Sequence, residues 1–276
     1  MSEVIPNLPF EEYAARPGIN ASVLKIVHRQ SLLHAKAYRD GSYREESDEL
    51  DFGTCFHSLA LEGRQDFVLI PTTYVNEKKE EKPWNWNAKV CQAWGAEQGD
   101  KIPLKEDEAV AVVSMANSIV EELGGMLKGQ REVSLFATMK GHPVKCRIDF
   151  LPDDESLPII DLKSCKSAEP AKFLRQSIDL GYLIQAAFAL DVAKECGIKR
   201  DRFDLLAVES EAPHGVCRLR FRDQAISLLR VGRRHYRTAF DDLTKAIETN
   251  QWDSYGEHPA EDFTPPWMKE ELDRTA

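Results

Sequence analysis

Apolar residues recur at helical spacing through the first part of the chain and switch to alternation near residue 131, so the pattern predicts helices followed by strands. Asn20 to Asp40 reads as one helix, capped by Asn20 or Ser22, with Val23, Leu24, Ile26 and Val27 as its apolar positions. Phe52 to Glu62 reads as a second helix, stopped by Gly63. Thr72 to Pro103 carries Trp84, Trp86 and Trp94 among Lys and Glu with weak periodicity, and is expected to be an irregular excursion holding one short helix. Lys105 to Leu123 is helical again, with Val110, Val113, Ala116 and Val120 as its apolar face and Gly124-Gly125 as its stop. Alternation then marks strands at Arg131 to Met139, Val144 to Leu151 and Leu157 to Ser164, with breaks at residues 140–143 and 152–155. A long helix is expected from Glu169 to Gly197, two further strands at Phe203 to Glu209 and Gly215 to Phe221, a final helix from Arg222 to Asn250, and a Pro-rich tail ending near Trp267.

A chain of 276 residues is close to the size at which one core stops growing, so one domain is expected, with a mainly helical part over 1–125 and a sheet-containing core with its closing helix over 126–276. No apolar run is long enough for a membrane span, and the acids of the first residues do not fit a signal peptide. The six cysteines are scattered without a CxxC pair, which suits reduced thiols in a cytoplasmic protein better than a zinc ribbon or a disulfide scaffold. A formal charge of −10 argues against a uniformly basic nucleic-acid binder. The basic residues nevertheless bunch late, at Lys199, Arg200, Arg202, Arg218, Arg220, Arg222, Arg230, Arg233, Arg234 and Arg237, while acids concentrate at residues 45–51, 77–81 and 257–262. A local basic patch on an acidic molecule is compatible with DNA, as is a solvated helix face.

The residues that carry chemistry are Arg147-Ile148-Asp149 and Ile159-Ile160-Asp161-Leu162-Lys163. A period of two puts Lys145, Arg147 and Asp149 on one face of their strand, and Ile159, Asp161 and Lys163 on one face of the next. Two carboxylates from neighbouring strands offer the hard oxygen ligands that Mg²⁺ prefers. A lysine two positions on can orient a water or neutralise charge developing on a phosphorane. Taken alone, the same spacing also describes strand acids paired with Lys163 and Arg147 in a surface ladder.

The order of motifs resembles the PD-(D/E)xK nuclease superfamily, in particular the exonuclease VIII (RecE-type) branch of phages and prophages. It runs from INASVLK through GTCFHSLALEG, EVSLF, RIDFLP, IIDLKS and GYLIQAAFALD to TNQWDSYGE and PPW, nearly the whole chain. The resemblance implies an α/β fold with a central mixed sheet flanked by helices. It implies Asp149 and Asp161 as metal-binding acids, the Leu162 carbonyl as a further ligand, Lys163 as the catalytic lysine and His57 as a ligand from an early helix. It also implies Glu132 as an upstream acid that holds a water or second metal, and Gln185 as a glutamine near the reacting phosphate. Tyr182, one turn before Gln185, and Ser164, where many relatives carry Thr, are the implied DNA contacts. Without the resemblance, His57 reads as a core histidine, Glu132 as a plain strand acid and Gln185 as solvent-facing.

The implied activity is Mg²⁺-dependent hydrolysis, with Mn²⁺ able to substitute, of one strand of linear double-stranded DNA from an end, 5′ to 3′, in a bacterial or phage-infected cell. The product would be a 3′ overhang for a single-strand annealing or recombination protein, the implied assembly is a homo-oligomeric ring, and the amino-terminal helices with the Trp-rich excursion are expected to form a wall of the DNA channel. A non-catalytic DNA-binding module of the same fold, or an endonuclease, are the alternatives. The cysteine cluster of iron–sulfur members is missing, and so is a Walker loop, so ATP-driven motion is not expected.

Overall fold

The computed structural model describes residues 2–43, 48–124, 128–225, 227–256 and 268. In chain order its elements are β1 (Glu3–Ile5), α1 (Phe10–Ala15), α2 (Ala21–Arg29), α3 (Leu32–Arg39), α4 (Asp48–His57), a π-helical turn (Ser58–Glu62), β2 (Phe67–Leu69), β3 (Thr73–Val75) and β4 (Glu81–Pro83). There follow α5 (Lys89–Glu97), β5 (Ile102–Leu104), α6 (Glu106–Leu123), β6 (Gly129–Met139), β7 (His142–Pro152) and β8 (Ile159–Cys165). The chain continues through α7 (Pro170–Asp179), α8 (Tyr182–Glu195), β9 (Arg202–Glu209), β10 (Val216–Arg222) and α9 (Leu228–Thr249).

Six strands form the central sheet in the order β1-β6-β7-β8-β9-β10. Only β8 and β9 run parallel, with α7 and α8 crossing between them, so the sheet is mixed as the α/β reading requires. Alternation sorts most strand residues onto two cores, but it breaks at Asp149, where the β6–β7 ladder skips a pair. Ile148 and Phe150 therefore fall on opposite cores, and the expected single face for Lys145, Arg147 and Asp149 does not hold through Asp149. On one face Val133, Leu135, Ile148, Ile159 and Leu205 pack with Leu24 of α2, Phe188 of α8 and Tyr236 of α9. On the other, Phe150, Ile160, Leu162 and Leu206 pack with Phe56 of α4 and with Met115 and Ile119 of α6. The sheet is therefore the middle layer of three.

Several elements differ from the sequence reading. The helix expected over Asn20 to Asp40 is two, because Gln30 leaves helical geometry and Ser31 starts α3 by accepting the His34 N–H. The helix expected over Glu169 to Gly197 breaks at Gly181, whose φ of 71° ends α7 and lets α8 start in a new direction. On α6 the buried positions are Ala109, Val112, Met115, Ala116, Ile119 and Leu123, whereas Val110, Val113 and Val120 face solvent. That helix carries two apolar stripes, and periodicity alone could not choose between them. The Trp-rich excursion holds α5 as anticipated, but also the β3–β4 pair, and at its end β5 pairs with β2, which precedes it. Its three indoles pack on one another at 5.1–6.1 Å between ring centroids. Neither β1 nor α1 was anticipated. The expected Pro-rich tail and its PPW lie outside the described residues.

Candidate active site

The acids and the lysine come from β7 and β8, where the two strands are tied at Phe150 and Ile160. Next to that tie Asp149 Oδ2 accepts the main-chain N–H of Leu162 at 2.8 Å, so a side chain of one strand holds the backbone of the other. Asp161, 3% exposed, points toward α8. Its Oδ1 accepts a hydrogen bond from Gln185 Nε2 at 2.7 Å, and its Oδ2 lies 2.5 Å from Lys163 Nζ without a well-aligned hydrogen bond. The Lys163 ammonium also lies 5.0 Å from the centre of the Tyr182 ring, and Lys25 Nζ lies 5.6 Å from the same ring. Gln185 is thus part of the site rather than a solvent-facing residue, and Gly181 is what puts it there.

His57 reaches the group from the opposite layer. It ends α4, and the π-helical turn begins at the next residue, an irregularity often found at functional sites. Its ring neighbours the Leu162 backbone, and its Nδ1 is 3.6 Å from Asp149 Oδ2. Single ligand atoms of His57, Glu132 and Asp149 all lie within 4.8 Å of one another. Glu132 has a φ of 49°, uncommon for a residue with a side chain, and its carboxylate is held by Arg147 Nε. Ser164 follows Lys163 at the end of β8, close to Gly53 of α4. The structure therefore gathers Asp149, Asp161, Leu162, Lys163, His57, Glu132, Gln185 and Tyr182 at one place. Arg147 stood out in the sequence motif, but its pairing with Glu132 was not anticipated.

Burial, and then the nearby Asp161 carboxylate, pushes the Asp149 carboxyl well above the usual range. Burial raises Glu132 as well, against the pull of Arg147. His57 is lowered to about 4, first by burial and then by the Lys163 charge, so the imidazole is neutral near pH 7 and keeps a lone pair for a ligand. Burial also works against the Lys163 ammonium, but the Asp161 and Asp149 carboxylates outweigh it and hold the lysine above its ordinary value. Crowded acids that resist ionisation and a neutral histidine whose ligand atom lies within 4.8 Å of two of them together fit a divalent cation.

The late basic cluster does not form one free patch. Arg218 is bound to Asp204, Arg233 to both Asp191 and Asp223, and Arg237 to Asp191, which also takes the Tyr236 hydroxyl. The exposed Arg220, Arg230 and Arg234 remain on the outer surface of β10 and α9.

A family model described as a PDDEXK-like domain of unknown function (DUF3799) matches residues 21–260. The chain belongs to that family. A solved structure called "Putative exonuclease" from Eubacterium rectale has 16% sequence identity and a TM-score of 0.61, covering 90% of each chain. At that identity it shows that the PDDEXK-like fold is shared. A second structure, called SSO0001, covers 78% of this chain and 84% of its own at 14% identity, and its TM-score of 0.31 carries no argument. No curated protein matches. The family and the mixed sheet establish a PD-(D/E)xK nuclease fold, as the motif order implied. Among the described residues no helix is long and apolar enough to cross a membrane.

Proposed function

We propose that this PDDEXK-like chain is a divalent-metal-dependent deoxyribonuclease that hydrolyses one strand of linear duplex DNA from an end, as an exonuclease of the exonuclease VIII (RecE) type. The observation that carries the reading is the placement of Lys163 Nζ against Asp161 Oδ2, with Asp149 and Gln185 around them on a nuclease fold. Asp149, Asp161, His57 and the Leu162 carbonyl would hold Mg²⁺ or Mn²⁺. Bound there, the cation would polarise the scissile phosphate.

The chain's own groups divide the remaining work. Lys163 lies against the Asp161 carboxylate, which together with Asp149 favours its ammonium form. It acts as a fixed positive donor toward the oxygens on which charge grows during hydrolysis, and such a donor stabilises the transition state more than the ground state. Gln185 fixes the plane of the Asp161 carboxylate through its 2.7 Å hydrogen bond, so that Oδ2 keeps its direction. Tyr182 covers Lys163 with its ring face and excludes water from that side.

The test is a time course on linear duplex labelled at its 5′ or its 3′ ends, with Mg²⁺ and without ATP, beside closed circular DNA. Loss of nucleotides from one end with the circle intact supports the proposal, and nicking of the circle favours an endonuclease. Asp161→Ala should abolish cleavage with the fold and DNA affinity retained. Near-normal cleavage by that variant would remove the assigned centre.

A further inference from the structure

Arg147 stands between Glu132 and the N-terminal segment. Its Nε bonds the Glu132 carboxylate, one terminal nitrogen donates to the Leu8 carbonyl at 2.8 Å, and its guanidinium carbon lies 5.9 Å from the centre of the Phe10 ring. The pair is largely buried, with side chains 18% and 12% exposed. The segment that anchors it is itself fixed: β1 is paired with β6, and Lys145 donates to the Tyr13, Ala14 and Arg16 carbonyls at the end of α1. Arg147 can swing away only by giving up its bonds to Glu132 and to the Leu8 carbonyl of that fixed segment. The β6–β7 ladder pairs Arg131 with Phe150 and Val133 with Ile148 and skips Glu132, whose left-handed φ aims its carboxylate at His57 and Asp149.

We propose that Arg147 takes the place of a second divalent ion: by holding Glu132 in an ion pair, it makes this a one-cation centre. The inference rests on the reading of the site as a cation centre and sets its stoichiometry. A guanidinium is never deprotonated in a protein, so this charge is permanent. It is fixed beside the space that a second ion ligated by Glu132 and Asp149 would occupy, where like charges repel with little screening. Formal charge agrees. Ionised Asp149, Asp161 and Glu132 against Lys163 and Arg147 leave one negative charge. One divalent ion turns that into a single positive charge, which one phosphodiester neutralises. A second would leave a large uncompensated positive charge in a buried site.

The experiment is titration of the full chain with Mn²⁺ in the absence of DNA, read by calorimetry and by the electron paramagnetic resonance of free Mn²⁺. The wild type should bind one ion per chain, Arg147→Met should bind two, and the second should be lost again in Arg147→Met/Glu132→Gln. Two ions in the wild type, or one in an Arg147→Met protein with native circular dichroism, overturns the inference. Should Arg147→Met fail to fold, the charge-neutral double variant decides: one ion at an affinity within about threefold of wild type supports the inference. A loss of about tenfold or more there, the scale expected for removing a ligand, would show that Glu132 ligates in the presence of Arg147 and overturns it. A wild type that binds no Mn²⁺ would instead remove the reading of the centre on which the inference rests.

Discussion

Gly232 offers a test of the packing that positions the site. It lies on α9 where that helix crosses the first turn of α8, and an added Cβ would come 2.5 Å from the carbonyl carbon of Leu183, closer still to its oxygen, and 3.0 Å from its Cβ. Two of these atoms are backbone, so no rotamer change relieves the clash. Since ordinary contact begins near 3.4 Å, the helices must separate by about 1 Å. Alanine gains about 1 kcal/mol of helix propensity over glycine. The separation opens the contact between Phe188, Leu229 and Tyr236, and overpacking of this kind costs about 1–3 kcal/mol or somewhat more. A clash against the Leu183 backbone falls at the upper end of that range, about 3 kcal/mol, so it should win, for a net loss of about 2 kcal/mol.

With an unfolding entropy of about 2 cal/mol/K per residue, a domain of this size loses roughly 3–4 °C in Tm for that ΔΔG. Because Leu183 is two residues from Gln185, Gly232→Ala should also loosen the bond from Gln185 to Asp161 and lower cleavage at temperatures where the variant is still folded. Gly53→Ala is the control. Gly53 lies inside α4, and its added Cβ would meet only Ser164 Oγ at 4.0 Å, so propensity should act alone and raise stability by about 0.5–1 kcal/mol. Thermal unfolding by circular dichroism measures both. If Gly232→Ala melts at or above the wild type, the close crossing of α8 and α9 is wrong, and with it the account of how Gln185 is placed.

Three further outcomes are expected. Lys163→Met should lower the single-turnover rate on blunt duplex by about 10²–10³ while DNA affinity measured in Ca²⁺ is nearly kept; a collapse of affinity with a surviving rate would make Lys163 a phosphate-binding or structural residue. His57→Ala should raise the Mg²⁺ or Mn²⁺ concentration needed for half-maximal cleavage, and an unchanged titration would return His57 to a packing role. His28 and His235 stack at 4.3 Å, and burial, followed for His28 by its partner and for His235 by Arg234, holds both below the ordinary histidine value. The unfolded chain then takes up protons first, so the stability from this pair is complete above about pH 6.5 and is lost as the pH falls below it. His235→Phe, which keeps the stacking, should flatten the decline in Tm between about pH 7.5 and 5.5; an unchanged slope would count against the pair.

What was legible in the sequence follows from which interactions are local. Strand alternation is set by the backbone, so the shared face of Asp161 and Lys163 and the position of Asp149 opposite could be read directly. The break at Gly181 was hidden because the apolar pattern continues through it, from Phe173 to Leu183 and beyond. The break matters, since it starts a helix at Tyr182 and so brings Gln185 to Asp161. The face of α6 was misread because Val110, Val113 and Val120 form a second apolar stripe beside the larger buried one. His57 stands in an apolar helix and gives no local sign of its role; only the motif order pointed to it.

The β7 face shows why the partner of Arg147 was the hardest part to foresee. Strand β7 carries Lys145, Arg147 and, where its alternation breaks, Asp149 into a layer that the fold largely buries, and three charges taken out of water need partners. Each finds them in a different element. Lys145 is satisfied by three carbonyls at the end of α1, Arg147 by Glu132 and the Leu8 carbonyl, and Asp149 by the Leu162 N–H beside His57. The two cations are thus neutralised or fully hydrogen-bonded by the N-terminal segment and β6. Asp149, by contrast, keeps a neighbouring acid and a carboxyl well above its usual range. The N-terminal carbonyls and Glu132 of β6 together therefore set where negative charge is left over on this strand. It is left at the end that meets Asp161, His57 and the Leu162 carbonyl, where a cation can relieve it.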